Sequence, residues 1–123
     1  MDMKLILDLH DHFLGRKMEE LEQKISFLTM DQRKDEANLF KAKRNVYDIF
    51  RKMLNVSRKE GEGAVGAYQK HLRVIPLNWH ASREEAIKYG DIQKQTVEDM
   101  KLTALQEILA HLGDTMGERG DAQ

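Results

Sequence analysis

The stretch DEANLFKAKRNVYDIFRKMLNVSRK, residues 35–59, decides the fold because its apolar residues recur at alternating steps of three and four. That spacing places six of them on one side of an α-helix, in the pattern of a coiled-coil seam: Leu39, Ala42, Val46, Ile49, Met53 and Val56. Four more widen this face well beyond a two-helix seam: Phe40, Tyr47, Phe50 and Leu54. So broad a face needs more than one neighbour to cover it, and the stretch therefore predicts a helical bundle.

The composition favours a helical protein of one domain. The chain has 123 residues, of which 33% are charged and 7% aromatic, and Pro76 is its single proline. A chain of this length forms one domain with its own hydrophobic core in most cases. Cysteine is absent, which excludes disulfides and thiolate metal sites.

The hydropathy pattern indicates neither export nor membrane insertion. The N-terminal segment has only three apolar residues in a row before an acidic one. No stretch approaches the roughly 20 apolar residues that a membrane span requires. We therefore expect a cytoplasmic protein with no signal peptide and no membrane contact.

Two helices are predicted to form a long antiparallel hairpin. An amphipathic segment over residues 4–28 precedes the stretch at 35–59, and the link between them is very short. Thr29 and Gln32 in this link have the spacing of a capping box, which predicts a new helix start there. Glycines at 61 and 63 then end the second helix, because glycine lowers helix propensity.

Two further helices complete the predicted fold. A short one is expected from about residue 64 to 74, and Pro76 ends it. Ser82 begins a long fourth helix that runs to Leu112 with Gly113 as its cap, and Gly90 marks a place where it can bend. The expected fold is all-α, a four-helix bundle within residues 1–113 followed by a polar tail at 114–123. The alternative is a dimer in which the exposed seams of two hairpins pack together.

The end of the fourth helix has more apolar surface than one core normally uses. Between Met100 and Leu112 the apolar residues cover more than half of the helix circumference. Part of this surface is therefore a candidate contact with a second copy or with another protein. The predicted partner-binding residues are Met100, Leu102, Leu105, Leu109 and Leu112.

Two pairs of residues have the spacing of metal ligands on a helix. Asp8 and His12 lie one turn apart, as do Glu107 and His111, so each pair presents two ligand groups on one face. The Glu-x-x-His and His-Glu-x-x-His motifs of metal-binding helices are absent. We therefore expect no metal site, and we expect His10 to be a partly buried histidine at the edge of the core.

The second helix has a basic face that is a candidate nucleic-acid surface. Residues 31–60 hold nine Lys or Arg against five Asp or Glu, a net charge of +4, whereas residues 91–123 hold three against seven, a net charge of −4. The candidate phosphate-binding residues are Lys41, Arg44, Arg51 and Arg58. The overall pI of about 6.5 favours the simpler interpretation, a solvated face that pairs with acidic helices.

No pattern in the sequence points to catalysis or to a cofactor. Residues 61–66 match G-x-G-x-x-G by letter, but a basic helix precedes them where a dinucleotide-binding fold has a β-strand. The three serines lie outside any nucleophile motif. The leading hypothesis is a small non-catalytic helical protein, without cofactors, that self-associates as a homodimer or binds a protein partner. Metal binding and weak nucleic-acid binding are the alternatives.

Overall fold

A computed structural model describes residues 2–117, and every regular element in this part of the chain is helical. The all-α prediction is therefore confirmed. The elements are α1 (Met3–Met30), α2 (Lys34–Ser57), a 3-10 segment (Arg58–Gly63), α3 (Ala64–Val74), α4 (Leu77–Lys88) and α5 (Ile92–Thr115). None of these helices is both long and apolar enough to cross a bilayer.

The first two helices lie antiparallel along most of their length. Arg44 of α2 pairs with Glu22 of α1, and Arg58, just after α2, pairs with Asp8 near the start of α1. In these ion pairs the residue number rises along α2 as it falls along α1, as it does in two antiparallel helices. Helix α5 packs against both helices of this hairpin, α3 packs against α2, and α4 folds back along α5.

Both tight turns between long helices close with the same backbone motif. In each turn, the residue two positions beyond the C-cap donates its N–H to a carbonyl five residues earlier: Arg33 to Leu28 at 2.8 Å and Asp91 to Ala86 at 2.8 Å. The residue before each donor is left-handed, Gln32 with φ +60° and Gly90 with φ +67°. This is the Schellman arrangement, which satisfies the last carbonyls of a helix.

The helix boundaries correct several details of the sequence prediction. The capping box at Thr29 does not form, because its hydroxyl donates to the carbonyl of Ile25 at 2.7 Å within α1. The long helix predicted from 82 to 112 is two helices, since the left-handed Gly90 reverses the chain. Helix α4 begins at Leu77 rather than Ser82, and α5 continues through Gly113, which is buried inside it.

The core lies between α1, α2, α3 and α5. Its fully buried large side chains are Leu14, Val46, Tyr47, Phe50, Leu54, Tyr68 and Ile108. Helix α4 contributes one buried residue, Ala86, and covers α5 from outside. Trp79 packs edge-on against Phe50 with ring centroids 6.1 Å apart. Two polar clusters interrupt this interior, one at His10 and Tyr68 and one at Tyr47 and Glu107, and Ser57 and Glu98 are also buried.

Candidate functional site

The most unusual site is a chain of three polar side chains where α1, α3 and α5 meet, in which His10 and Tyr68 are buried and His111 is half-buried. His10 is fully buried, and its two ring nitrogens contact different helices. Nε2 lies 2.8 Å from the hydroxyl of Tyr68 on α3, and Nδ1 lies 2.9 Å from Nδ1 of His111 on α5. His10 was expected at the edge of the core, whereas it lies at the centre of a contact between three helices.

The buried hydroxyl of Tyr68 determines where the protons lie. The side chain is fully buried and its oxygen contacts Nε2 of His10, so the O–H must donate there, since an unsatisfied buried donor costs about 1–3 kcal/mol. A neutral imidazole carries one proton, so His10 holds its own on Nδ1 and donates it to Nδ1 of His111. His111 accepts at Nδ1 and therefore carries its proton on Nε2. The hydrogen bonds run in one direction, from Tyr68 through His10 to His111.

Burial keeps these groups uncharged at neutral pH. Desolvation, with a smaller effect from neighbouring His111, lowers the pKa of His10 to about 3. The pKa of His111 is also lowered, first by its own burial and then by the positive charge of Arg16. Burial raises the pKa of Tyr68, and the negative charge of Asp11 acts in the same direction. The neutral state that the hydrogen-bond chain requires is therefore the one that this environment favours.

Aromatic rings hold His111 in place. The ring of Phe13 stacks on the imidazole of His111 with centroids 3.9 Å apart and an interplanar angle of 6°. Tyr47 of α2 meets Phe13 edge-on at 6.1 Å. The hydroxyl of Thr115 donates to the carbonyl of His111 at 2.8 Å. The stacked ring of Phe13 limits rotation of the imidazole that is hydrogen-bonded to His10.

A second polar cluster ties α2 to α5. Tyr47 donates its hydroxyl to Oε1 of Glu107 at 2.5 Å, and Lys43 donates to Oε2 at 2.9 Å. Burial alone would raise the pKa of Glu107, but the hydrogen bonds from Tyr47 and Lys43 outweigh it and lower the pKa. Burial and the same hydrogen bond raise the pKa of Tyr47. Glu107 is therefore an anion with both oxygens occupied.

The four candidate metal ligands are not brought together. Asp8 pairs with Arg58 at 3.0 Å, and His12 is exposed in a groove beside Asp8. Glu107 is bound by its own partners, and His111 directs Nδ1 at an imidazole. Within residues 2–117, no group of three His, Asp or Glu side chains is placed to hold a metal ion. We assign none of these residues as a metal ligand.

Three of the four candidate nucleic-acid residues face acidic groups of α1. Arg44 pairs with Glu22 at 2.9 Å, Arg51 with Asp11 at 3.0 Å and Arg58 with Asp8 at 3.0 Å; the fourth candidate, Lys41, is exposed. The arginines are spaced seven residues apart, so they lie in a row along the hairpin. The positive charge of the basic face is therefore largely neutralised within the hairpin.

The apolar end of α5 is mostly used by the chain's own core. Of the five residues predicted to bind a partner, Leu105 and Leu112 are buried in the core, while Met100 and Leu102 are half-buried. Leu109 is 45% exposed and lines a groove between α3 and α5. The sequence interpretation of the broad apolar face of α5 was therefore incomplete. This face packs on the hairpin on one side and under α4 on the other.

Apolar exposure is concentrated instead on residues that the sequence analysis did not select. The most exposed large apolar side chains are Phe27, Met30, Leu77, Tyr89 and Ile92. Phe27 and Met30 belong to the last turn of α1, and Ile92 begins α5. In the sequence, only their position outside the main apolar stripes could have indicated that these side chains are exposed. Exposure at a helix end depends on which other helix packs there.

The Tyr68–His10–His111 chain also could not be predicted from the sequence. The position of His10 near the apolar stripe of α1 indicated burial, but its partners lie 58 and 101 residues away. No local spacing relates such distant residues. No family model, curated protein or solved structure gives a significant match to the chain, so its function is inferred from its own residues.

Proposed function

We propose that the chain is a small non-catalytic helical protein that acts by binding another protein, and that its first partner is a second copy of itself. One observation supports this above all: large apolar side chains are exposed at the end of the molecule that carries the α1–α2 turn. We name this region the turn-end surface and define it by Phe27, Met30, Leu39 and Ile92.

The turn-end surface combines protruding side chains with an apolar groove. Met30 is 85% exposed, Ile92 74% and Phe27 61%. Leu39, Ile92 and Val97 line a groove of about 320 Å³ between the first turns of α2 and α5. Single exposed apolar residues are common on monomeric proteins, whereas several gathered at one end are typical of a binding surface.

A second copy fits this surface because the protrusion and the groove belong to the same end. Two molecules related by a two-fold axis can each insert Met30 toward the groove of the other, so one contact is made twice. Fully burying a Met or Ile side chain contributes about 1.5–3 kcal/mol before the costs of association. We also infer that α1, α2, α5 and one of the two short helices form a four-helix bundle, and that this dimerisation completes the bundle.

The test is the mass of the protein in solution as a function of concentration. Sedimentation equilibrium from about 1 µM to about 1 mM should give a monomer–dimer equilibrium for the natural chain. Met30→Glu and Ile92→Glu, each at a highly exposed site that the fold does not need, should both raise Kd at least about tenfold. A tenfold change corresponds to about 1.4 kcal/mol, which is less than the burial of one such side chain supplies.

Leu77→Glu is the matched control. Leu77 is as exposed as Phe27 but begins α4, outside the turn-end surface. It should leave Kd unchanged, and circular dichroism should be the same for all variants. A monomer at every concentration would contradict self-association, and an equal loss in the Leu77 variant would contradict the location.

A further inference from the structure

The Tyr68–His10–His111 chain lies apart from the turn-end surface and joins three helices through side chains alone. Its hydrogen bonds have a single direction, and each of its two imidazoles holds one proton. A chain of this kind has one arrangement that satisfies every group. One additional proton on either imidazole disturbs this arrangement.

A proton added to either imidazole reverses the hydrogen bond between His10 and Tyr68, so that the hydroxyl accepts there instead of donating. At Nδ1 of His111 it would create a donor facing the Nδ1–H of His10, and the conflict ends only if His10 moves its proton to Nε2. A proton added directly to His10 also enters at Nε2. In both cases an N–H then faces the hydroxyl of Tyr68, whose own proton loses its acceptor inside the core.

The charged and titratable groups around the pair do not prevent this change. They are Asp11 and Arg16 on α1, Tyr47 on α2, Tyr68 on α3 and Asp114 on α5. Arg16 opposes a positive charge on His111, whereas Asp114 favours one. Asp11 is bound by Arg51 through Oδ1 and Tyr47 donates to Glu107, and the structure gives neither group a hydrogen bond to the hydroxyl of Tyr68.

Helix α3 is the element best able to move in response. It has 11 residues, and its buried side chains are Ala64, Tyr68 and Leu72. The 3-10 segment before it contains the left-handed Gly61, and Pro76 ends the turn that follows it. A short helix between two such breaks can separate from the core without unfolding its neighbours.

We propose that the Tyr68–His10–His111 chain is an acid-sensitive latch, which holds α3 against α1 at neutral pH and releases α3 when either imidazole takes up a proton. Histidine pairs at helix contacts suit this task because an exposed imidazole titrates near pH 6.5. In the closed state the pKa of both imidazoles is below this value. In the released state both side chains are exposed to solvent and their pKa returns toward it.

The sign of the pH effect follows from this difference. Above pH 6.5 neither state binds the extra proton, so the latch stays closed. Below pH 6.5 the released state binds protons that the closed state excludes, so the opening equilibrium rises about tenfold for each pH unit through His10, and His111 acts in the same direction. For His10 this continues until its closed-state pKa of about 3 is reached. At pH 4.5 His10 alone gives an increase on the order of a hundredfold.

The test is amide hydrogen exchange of the natural chain, corrected for intrinsic rates, at pH 7.0 and pH 4.5. Protection of the α3 amides should fall on the order of a hundredfold. Amides of the hairpin near Glu22 and Arg44, at the far end of α1, should lose much less. Equal loss in both regions, or no loss in α3, would overturn the latch.

A double variant separates the latch from general acid unfolding. His10→Asn with His111→Asn keeps a hydrogen-bonding group at both sites but cannot titrate, and it should abolish the excess exchange in α3. His12→Asn with His80→Asn, two exposed histidines, is the matched control and should keep it. An effect of pH that survives in the first pair would contradict the proposal.

A spectroscopic measurement on the natural chain covers the case in which the double variant does not fold. Nitrogen-15 NMR at pH 7 should find His10 protonated on Nδ1 and His111 on Nε2. The opposite tautomers, or an already charged imidazole in the pair, would show that the chain lacks the direction on which the latch depends.

Discussion

Gly15 decides where one charge of the hairpin lies. A Cβ built at this position would be 2.9 Å from Nη1 of Arg51, so the missing side chain is what lets the guanidinium lie over α1 and reach Asp11. The group that approaches Gly15 is an arginine side chain from α2, which no pattern within α1 could identify.

Gly15→Ala should stabilise the fold slightly. Alanine improves helix propensity by about 1 kcal/mol, and the guanidinium is the flexible end of a half-exposed side chain that can move aside. Losing the Arg51–Asp11 pair offsets at most about 1 kcal/mol, because both groups are partly solvated. Urea denaturation should give a gain between zero and about 1 kcal/mol, larger at high salt, where the ion pair is already screened.

Arg51→Ala is the background that separates the two effects. In that variant the alanine at position 15 meets no guanidinium, so the full gain of about 1 kcal/mol should appear at every salt concentration. A loss greater than about 1 kcal/mol on Gly15→Ala alone would show that Arg51 cannot move, contrary to this account.

At the scale of the element, backbone geometry closes the C-terminal ends of α1 and α4, whereas the side chains of Asp2 and Asp91 cap the N-terminal ends of α1 and α5. Both Schellman turns use a left-handed residue, which is glycine at 90 and glutamine at 32. Glycine adopts this conformation without cost, whereas other residues lose about 1–2 kcal/mol. The sequence located both breaks to within a few residues, but it predicted a bend at Gly90 where the chain instead reverses completely.

Gly90→Ala and Gly66→Ala should therefore have opposite effects. Neither site has an atom within 4 Å of an added Cβ, so space does not distinguish them. Gly90 is left-handed, and alanine there should cost about 1–2 kcal/mol. Gly66 is inside α3, where alanine should stabilise the helix by about 0.5–1 kcal/mol. Thermal unfolding of the two variants gives the sign directly, and a destabilised Gly66→Ala would contradict the helical assignment of its backbone.

At the scale of the whole molecule, charge separation along the chain becomes charge neutralisation in space. The basic stretch at 31–60 and the acidic stretch at 91–123 are far apart in sequence. Arg44, Arg51 and Arg58 of the basic stretch pair with acidic residues of α1. Arg33 and Lys52 pair within the basic stretch itself, and Lys43 pairs with Glu107 of the acidic stretch. The acidic partners of the basic stretch therefore lie mainly in α1 and in the stretch itself rather than in α5.

This neutralisation predicts weak or undetectable binding to nucleic acid. Fluorescence anisotropy with a labelled DNA duplex at low salt is the most sensitive measurement, because phosphate attraction is strongest there. We expect no saturable binding at protein concentrations up to about 100 µM, the weak end of the usual range of non-specific affinity. Binding that weakens with salt and is lost in Arg44→Ala with Arg58→Ala would contradict this expectation, and Lys41→Ala would serve as the exposed, unpaired comparison.

The sequence by itself determined the helices, because helix formation follows from the spacing of apolar residues within a few turns, and residues 35–59 contain enough of them to require several neighbours. Tertiary structure alone decided which side chains meet. His10 joins Tyr68 and His111 across 58 and 101 positions, and Met30 and Ile92 stay exposed because no other helix within residues 2–117 covers them. Local periodicity records the preference of one helix, whereas burial and protonation depend on the neighbours that the whole chain brings to it.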